Sequence, residues 1–119
     1  MNSKFSRTPK ILIVDDVPLN VELQKTYLLS AGYKVIVAMD GQEALQKIFE
    51  EHPDLILLDI MMPKMNGFEV CKELKSNPLT QFIPVVMVTA LQEVEDKIRG
   101  IEAGADDFIS KPLDRKSVV

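Results

Sequence analysis

The sequence predicts an α/β fold built on a doubly wound parallel sheet, and three observations carry that expectation. Short apolar segments recur along the chain, among them Ile11–Val14, Leu55–Leu58, Val85–Val88 and Phe108–Ser110. Segments of that length, rich in β-branched residues or Leu, suit strands buried on both faces of a parallel sheet. Helical patterns separate them, and alternation of strand and helix calls for right-handed crossovers. Finally, these segments end in polar residues: Asp15 and Asp16, Asp59, Thr89 and Lys111. In open α/β sheets ligands bind outside the carboxyl ends of the strands, so parallel neighbours would gather three carboxylates, a hydroxyl and an ammonium at one crevice.

Each element has its own signal. Residues 1–9 are polar and expected to be flexible, and a first strand follows at about 10–15. Pro18 suits the first turn of a helix, where its missing N–H would go unpaired anyway. That helix should run to about Ala31, with Val17, Val21 and Leu28 on one face and Gly32 at its end. A second strand is expected at 33–38, then a helix capped by Asp40, carrying Ala44, Leu45 and Ile48 and ending before Pro53. Strand 3 falls at 54–59, and the loop 60–66 leads to a helix with Gly67, Cys71 and Leu74 at helical spacing. Strand 4 is expected at 84–89. A fourth helix follows with Val94, Ile98 and Ile101 on one face at i, i+4, i+7, stopped by Gly104, and then strand 5 at 106–110. Little more than one turn of helix fits into Asp114–Val119, so a fifth helix would be incomplete.

Composition narrows the function. The 119 residues are 46% hydrophobic and 27% charged, which is the composition of one soluble globular domain. No apolar run reaches the roughly 20 residues needed to span a bilayer, and Asp15 and Asp16 interrupt any signal-peptide pattern. One Cys and one His exclude a disulfide framework and a Cys/His zinc site, which points to a reducing, cytoplasmic setting. The net charge of -4 disfavours nucleic-acid binding by this domain.

The polar cluster has a bland reading beside its functional one. Either Asp15 or Asp16 could cap the helix beginning near Pro18. Two adjacent carboxylates also repel, and a hard divalent cation such as Mg²⁺ relieves that repulsion. Asp59 could mark a strand exit, or act as a metal ligand or as a nucleophile toward phosphorus. Lys111 balances the charge of a phosphoryl group, and the Thr89 hydroxyl can donate to one of its oxygens. Cys71 reads as a small core residue and His52 as a helix-end residue. The Met61, Met62 and Met65 cluster divides between exposed loop and packing.

The strings ILIVDD, DLILLDIMMPKMNGFEV, IPVVMVTA and EAGADDFISKP resemble the receiver domain of two-component response regulators, the CheY-like family, over about residues 10–113. The resemblance implies a flavodoxin-like sheet of order 2-1-3-4-5. It also implies Asp59 as phosphoacceptor, with Asp15, Asp16, Asp59 and the main-chain carbonyl of Met61 holding Mg²⁺. Thr89 and Lys111 would bind the phosphoryl group, and Thr89 with Phe108 would form the switch. A cis Lys111–Pro112 bond is part of the family pattern. In the family, the residues two past the phosphoacceptor and two past the Thr flank the hydrolytic water, and here they are Met61 and Leu91. Neither orients a water well and both can shield the acyl phosphate, so the phosphorylated state should be long-lived.

The implied partners are a sensor histidine kinase or phosphotransfer protein and a downstream output domain or effector, with homodimerisation on activation compatible with the resemblance. The segment 88–114 is similar to receivers joined to diguanylate cyclase (GGDEF) output domains. Two other classes fit less well. A phosphatase using an aspartyl phosphate commonly needs a general acid two residues past the nucleophile, where Met61 stands. A flavodoxin-like cofactor binder would want a Gly/Ser/Thr-rich loop after strand 1, and Asp15-Asp16-Val17-Pro18-Leu19-Asn20 would repel a phosphate.

Overall fold

The computed structural model describes residues 8–62, 65–89 and 94–110. Nine elements follow in order: β1 Lys10–Val14, α1 Pro18–Ser30, β2 Lys34–Ala38, α2 Gly41–Glu51, β3 Leu55–Asp59, α3 Gly67–Ser76, β4 Val85–Thr89, α4 Val94–Ala103 and β5 Asp107–Ser110. The five strands are parallel and lie in the order β2-β1-β3-β4-β5, the order that the resemblance implies. Each strand begins a residue later than expected except β1, which instead ends at Val14 and leaves Asp15 just past its tip. The expected fifth helix falls on residues outside those described.

Strand alternation divides the core in two. Leu12, Val14, Ile56, Leu58, Val85 and Met87 face α2, α3 and α4, packing with Ala44, Ile48, Val70, Cys71 and Leu74. Ile11, Ile13, Leu57 and Val88 face the other way, against Val21 and Leu28 of α1. Parallel strands need helices on both faces, and their near-continuous apolar sequence follows from that.

Local chemistry starts and stops the helices. Asp40 caps α2 by accepting from the Glu43 N–H at 2.8 Å, while the Glu43 carboxylate accepts from the Met39 N–H at 2.7 Å. Asn66 and Glu69 form a reciprocal capping box at the start of α3. Gly32 and Gly104 take φ of 94° and 98°, left-handed conformations that end α1 and α4 without the penalty a Cβ would bring. His52 closes α2 at φ 52°, a helix-end residue as expected.

One expected face is corrected, and another turns out to point outward. Val17 occupies the N-cap position of α1 and is 42% exposed, so it is not part of that helix's buried face. On α4, Ile98 and Ile101 are 50% and 65% exposed, and the side turned inward carries Gly100 and Ala103 instead. Gly100 lets α4 come close to the Phe108 ring of β5, which an apolar-periodicity reading does not detect.

Candidate functional site

Sheet register assembles the site. Val14 pairs with Leu58, so Asp15 and Asp59 follow side by side at the tips of β1 and β3. Asp59 in turn pairs with Val88, which places Thr89 one residue further along β4. Carboxylate oxygens of Asp15, Asp16 and Asp59 all lie within 4.8 Å of one another. Asp15, Asp59 and Thr89 are buried, and Asp16 is half-buried.

The backbone around these residues is tightly fixed. The Asp15 N–H donates to the Ala38 carbonyl at 3.1 Å, and the Ile60 N–H to the Val88 carbonyl at 3.3 Å. The α3 N-terminus abuts the end of β3, where the Gly67 N–H donates to the Ile60 carbonyl at 3.0 Å. A Cβ on Gly67 would overlap the Asp59 carbonyl oxygen, so only glycine lets α3 start so close to the site. Sequence reading placed Gly67 merely at helical spacing. Its position eight residues after Asp59, immediately following a capping Asn, was the available signal.

The bland reading of Asp15 and Asp16 is corrected in part. Neither side chain caps α1, whose N-cap residue Val17 makes no side-chain cap bond. Asp15 instead closes a two-residue turn, its Oδ1 accepting from the Val17 N–H at 2.9 Å. Its Oδ2 accepts from the Gln24 side-chain amide at 3.3 Å, a contact no sequence signal for the site had included.

Three close carboxylates are all acceptors when ionised, so they need a cation or donors between them. Asp16 Oδ1 is buried and has no hydrogen-bond partner among the described residues. Such an atom is costly in a dry site and is satisfied by a bound cation. The donor set is all oxygen, which suits a hard divalent ion. The residues present fit a metal.

The other expected site residues are more scattered. Met61 follows the tip of β3 by two residues and is 69% exposed. Phe108 sits on β5 opposite Met87 and is half-buried, with its ring against Gly100 of α4. Lys111, Pro112 and Leu91 lie outside the described residues. Cys71 is a core residue whose Sγ lies 3.4 Å from the Ala103 carbonyl, and burial pushes its thiol up to about 11. Met62 is buried and Met65 packs against the core, so the methionine cluster divides as expected.

Comparisons with known proteins agree with this geometry. The response regulator receiver domain family matches residues 11–119. The chain is 50% identical over 105 residues to the response regulator PleD of Caulobacter vibrioides, covering 88% of this chain and 23% of PleD. It is 49% identical over 109 residues to the transcriptional regulatory protein PhoP of Bacillus subtilis, covering 92% of this chain and 45% of PhoP. The chain thus spans less than half the length of these relatives. Chemotaxis protein CheY4 of Vibrio cholerae superposes with a TM-score of 0.86 at 34% identity, over 93% of this chain and 92% of that one. The receiver domain of the Pseudomonas aeruginosa sensor histidine kinase PA1611, solved with magnesium in its active-site cleft, superposes with a TM-score of 0.83 at 28% identity, over 93% and 91% of the two chains. A sheet of this order, an acidic pocket at its carboxyl edge and identity near one half across almost the whole chain leave one conclusion: the chain belongs to the receiver domains of two-component response regulators, the phosphoacceptor modules of that signalling system.

Proposed function

We propose that Asp59 is the phosphoacceptor and that Asp15, Asp16, Asp59 and the main-chain carbonyl of Met61 hold Mg²⁺ beside it. The observation that carries this reading is the convergence of three carboxylates within 4.8 Å, one of them with a buried oxygen that has no hydrogen-bond partner among the described residues. Asp59 lies at the end of the central strand, flanked by Asp15 just past the tip of β1 and Thr89 on β4.

The donor is a phosphohistidine on a sensor kinase or phosphotransfer protein. A carboxylate oxygen of Asp59 attacks phosphorus in line with the departing imidazole. The P–O bond forms as the P–N bond breaks, and the imidazole leaves with that electron pair. Held by Asp15, Asp16 and Asp59, Mg²⁺ would neutralise charge on the transferred phosphoryl oxygens. Thr89 donates its hydroxyl to one such oxygen and Lys111 supplies an ammonium to another. The domain turns over no substrate of its own, and the product is the modified domain. Movement of Thr89 toward the phosphoryl group then alters the packing of Phe108, a local charge change biasing a two-state element. The setting is cytoplasmic, and among the described residues no helix is long and apolar enough to cross a membrane.

A cyclase output domain remains a proposal carried by the wording of residues 88–114. Identity in the receiver does not choose the output, since a transcriptional regulatory protein matches as well as PleD does.

With Mg²⁺ and acetyl phosphate, intact mass should rise by one phosphoryl group in a hydroxylamine-sensitive bond, and Asp59→Asn should abolish the gain. Labelling retained by Asp59→Asn, or carried on histidine or serine, would overturn the assignment.

A further inference from the structure

We infer that Gln24 is a positioning residue for the cation site, its side-chain amide holding the Asp15 carboxylate in the orientation that binds the metal. This rests on the reading of Asp15 as a metal ligand and adds to it a residue outside the acidic cluster.

Gln24 stands where an apolar residue would be expected. It lies on α1 three residues after Val21 and four before Leu28, both of which face the sheet. It is 3% exposed, so the whole amide is out of water. Burying an amide is unfavourable unless its hydrogen bonds are made, and fixing a long side chain adds an entropic cost. A Leu or Met at position 24 would fill the same stripe without either cost. The amide nitrogen makes both of its bonds: Nε2 donates to the Asn20 carbonyl at 3.2 Å and to Asp15 Oδ2 at 3.3 Å.

The consequence lies at Asp15. Its two carboxylate oxygens are each met by a donor from the same segment, Oδ1 by the Val17 N–H and Oδ2 by Gln24. Asp15 is fully buried and sits just past the tip of β1, so its ring of contacts sets which lone pairs face Asp16 and Asp59. A bond of 3.3 Å is at the long end for N–H···O and adds little to stability. Its value is directional. Partners that orient a metal-binding carboxylate typically matter by 10–100-fold in affinity.

A purely structural role makes a different forecast, because tethering α1 to β1 affects folding and not metal affinity. The full chain is compared with Gln24→Met and Gln24→Leu, which keep the bulk and delete the donor. Titration calorimetry with MgCl₂ alone should show binding weakened about tenfold in both variants. Labelling of Asp59 by acetyl phosphate should need about tenfold more Mg²⁺ for half its maximal rate, with the maximal rate itself within twofold of the parent. Magnesium affinity within twofold of the parent, whatever happens to the melting temperature, would overturn the inference, as would a lowered maximal rate at unchanged magnesium requirement. If Gln24→Met does not fold, Gln24→Leu carries the comparison. A parent protein that binds no Mg²⁺ at millimolar concentration would instead overturn the ligand role of Asp15, and this inference with it.

Discussion

The ring of Phe108 occupies the notch that Gly100 leaves in α4: a Cβ built on Gly100 would come within 2.5 Å of two ring carbons. Helix and strand are therefore packed closely at the one aromatic residue that the family resemblance marks as part of the switch. Any movement of that ring changes the space above α4, and any side chain at position 100 constrains the ring.

Gly100→Ala separates two opposing effects. Alanine in a helix interior gains up to about 1 kcal/mol over glycine, whereas overpacking costs about 1–3 kcal/mol. The contact is severe and the ring is half-buried, so overpacking should win. A net loss of about 1 kcal/mol is expected, a fall of roughly 4 °C in melting temperature. Truncating the ring removes the obstacle, so Gly100→Ala placed on a Phe108→Ala background should be neutral or stabilising. A full additive loss in the double variant would show that the ring does not set the penalty.

The same helix shows what the sequence could and could not reveal. Spacing alone placed Val94, Ile98 and Ile101 together, and the spacing is correct. The outward exposure of Ile98 and Ile101 could not be read from that spacing, because the inward side of α4 carries Gly100 and Ala103, which give almost no periodic signal. The acidic site was legible for the opposite reason. Strand ends in a parallel sheet are fixed by register, so Asp15, Asp59 and Thr89 could be placed from the ends of apolar runs without any knowledge of side-chain packing. Gln24 was not legible as part of the site, since its bond to Asp15 depends on how deeply α1 sits over the sheet.

Removing one charge from the acidic cluster should stabilise the metal-free protein. Unit charges on carboxylate oxygens within 4.8 Å of one another repel by roughly 3 kcal/mol or more at an effective dielectric near 20. Asp16→Asn relieves part of this and supplies an N–H donor. In excess EDTA its melting temperature should exceed that of the parent by several degrees. With Mg²⁺ at about 100 times the dissociation constant the parent should gain about 2.7 kcal/mol, and Asp16→Asn much less. Equal magnesium-induced shifts in the two proteins would argue against Asp16 as a ligand.

Far from the site, Asp106 links the start of β4 to the end of α3. Its Oδ2 accepts from the Val85 N–H at 2.8 Å and from Lys75 Nζ at 2.9 Å, while Lys75 also donates to the Ile83 carbonyl at 2.8 Å. Burial raises the Asp106 carboxyl, but the Val85 N–H and Lys75 outweigh it and hold the group below the ordinary value of 3.8. A depressed carboxyl contributes stability that is fully present above its unfolded value and is lost as pH falls through the folded one. Asp106→Asn should therefore be less stable than the parent at pH 7, by about 1 kcal/mol or less for so exposed a pair. The two should converge in denaturant titrations below about pH 4. A difference that persists undiminished at pH 3 would mean that packing, not charge, accounts for it.

The lifetime of the phosphorylated state turns on Met61. The expectation from sequence combined two effects, shielding of the acyl phosphate and the lack of a group to orient the attacking water. Met61 is 69% exposed, so the forecast here is built on the second effect. A thioether is a poor acceptor and no donor, and offers a water almost no directional help. Met61→Asn places an amide at the same loop position, close enough to the tip of β3 to hold a water near Asp59. The absence of a true general base limits the gain. Hydrolysis should quicken on the order of tenfold, short of the ~10²–10⁴ that a fully positioned base supplies. The measurement is the single-exponential decay of phosphorylated Asp59 after donor removal, followed by intact mass in parent and variant under the same magnesium concentration. An unchanged rate in Met61→Asn would remove position 61 from control of the lifetime and leave it with residues on the β4 side of the site.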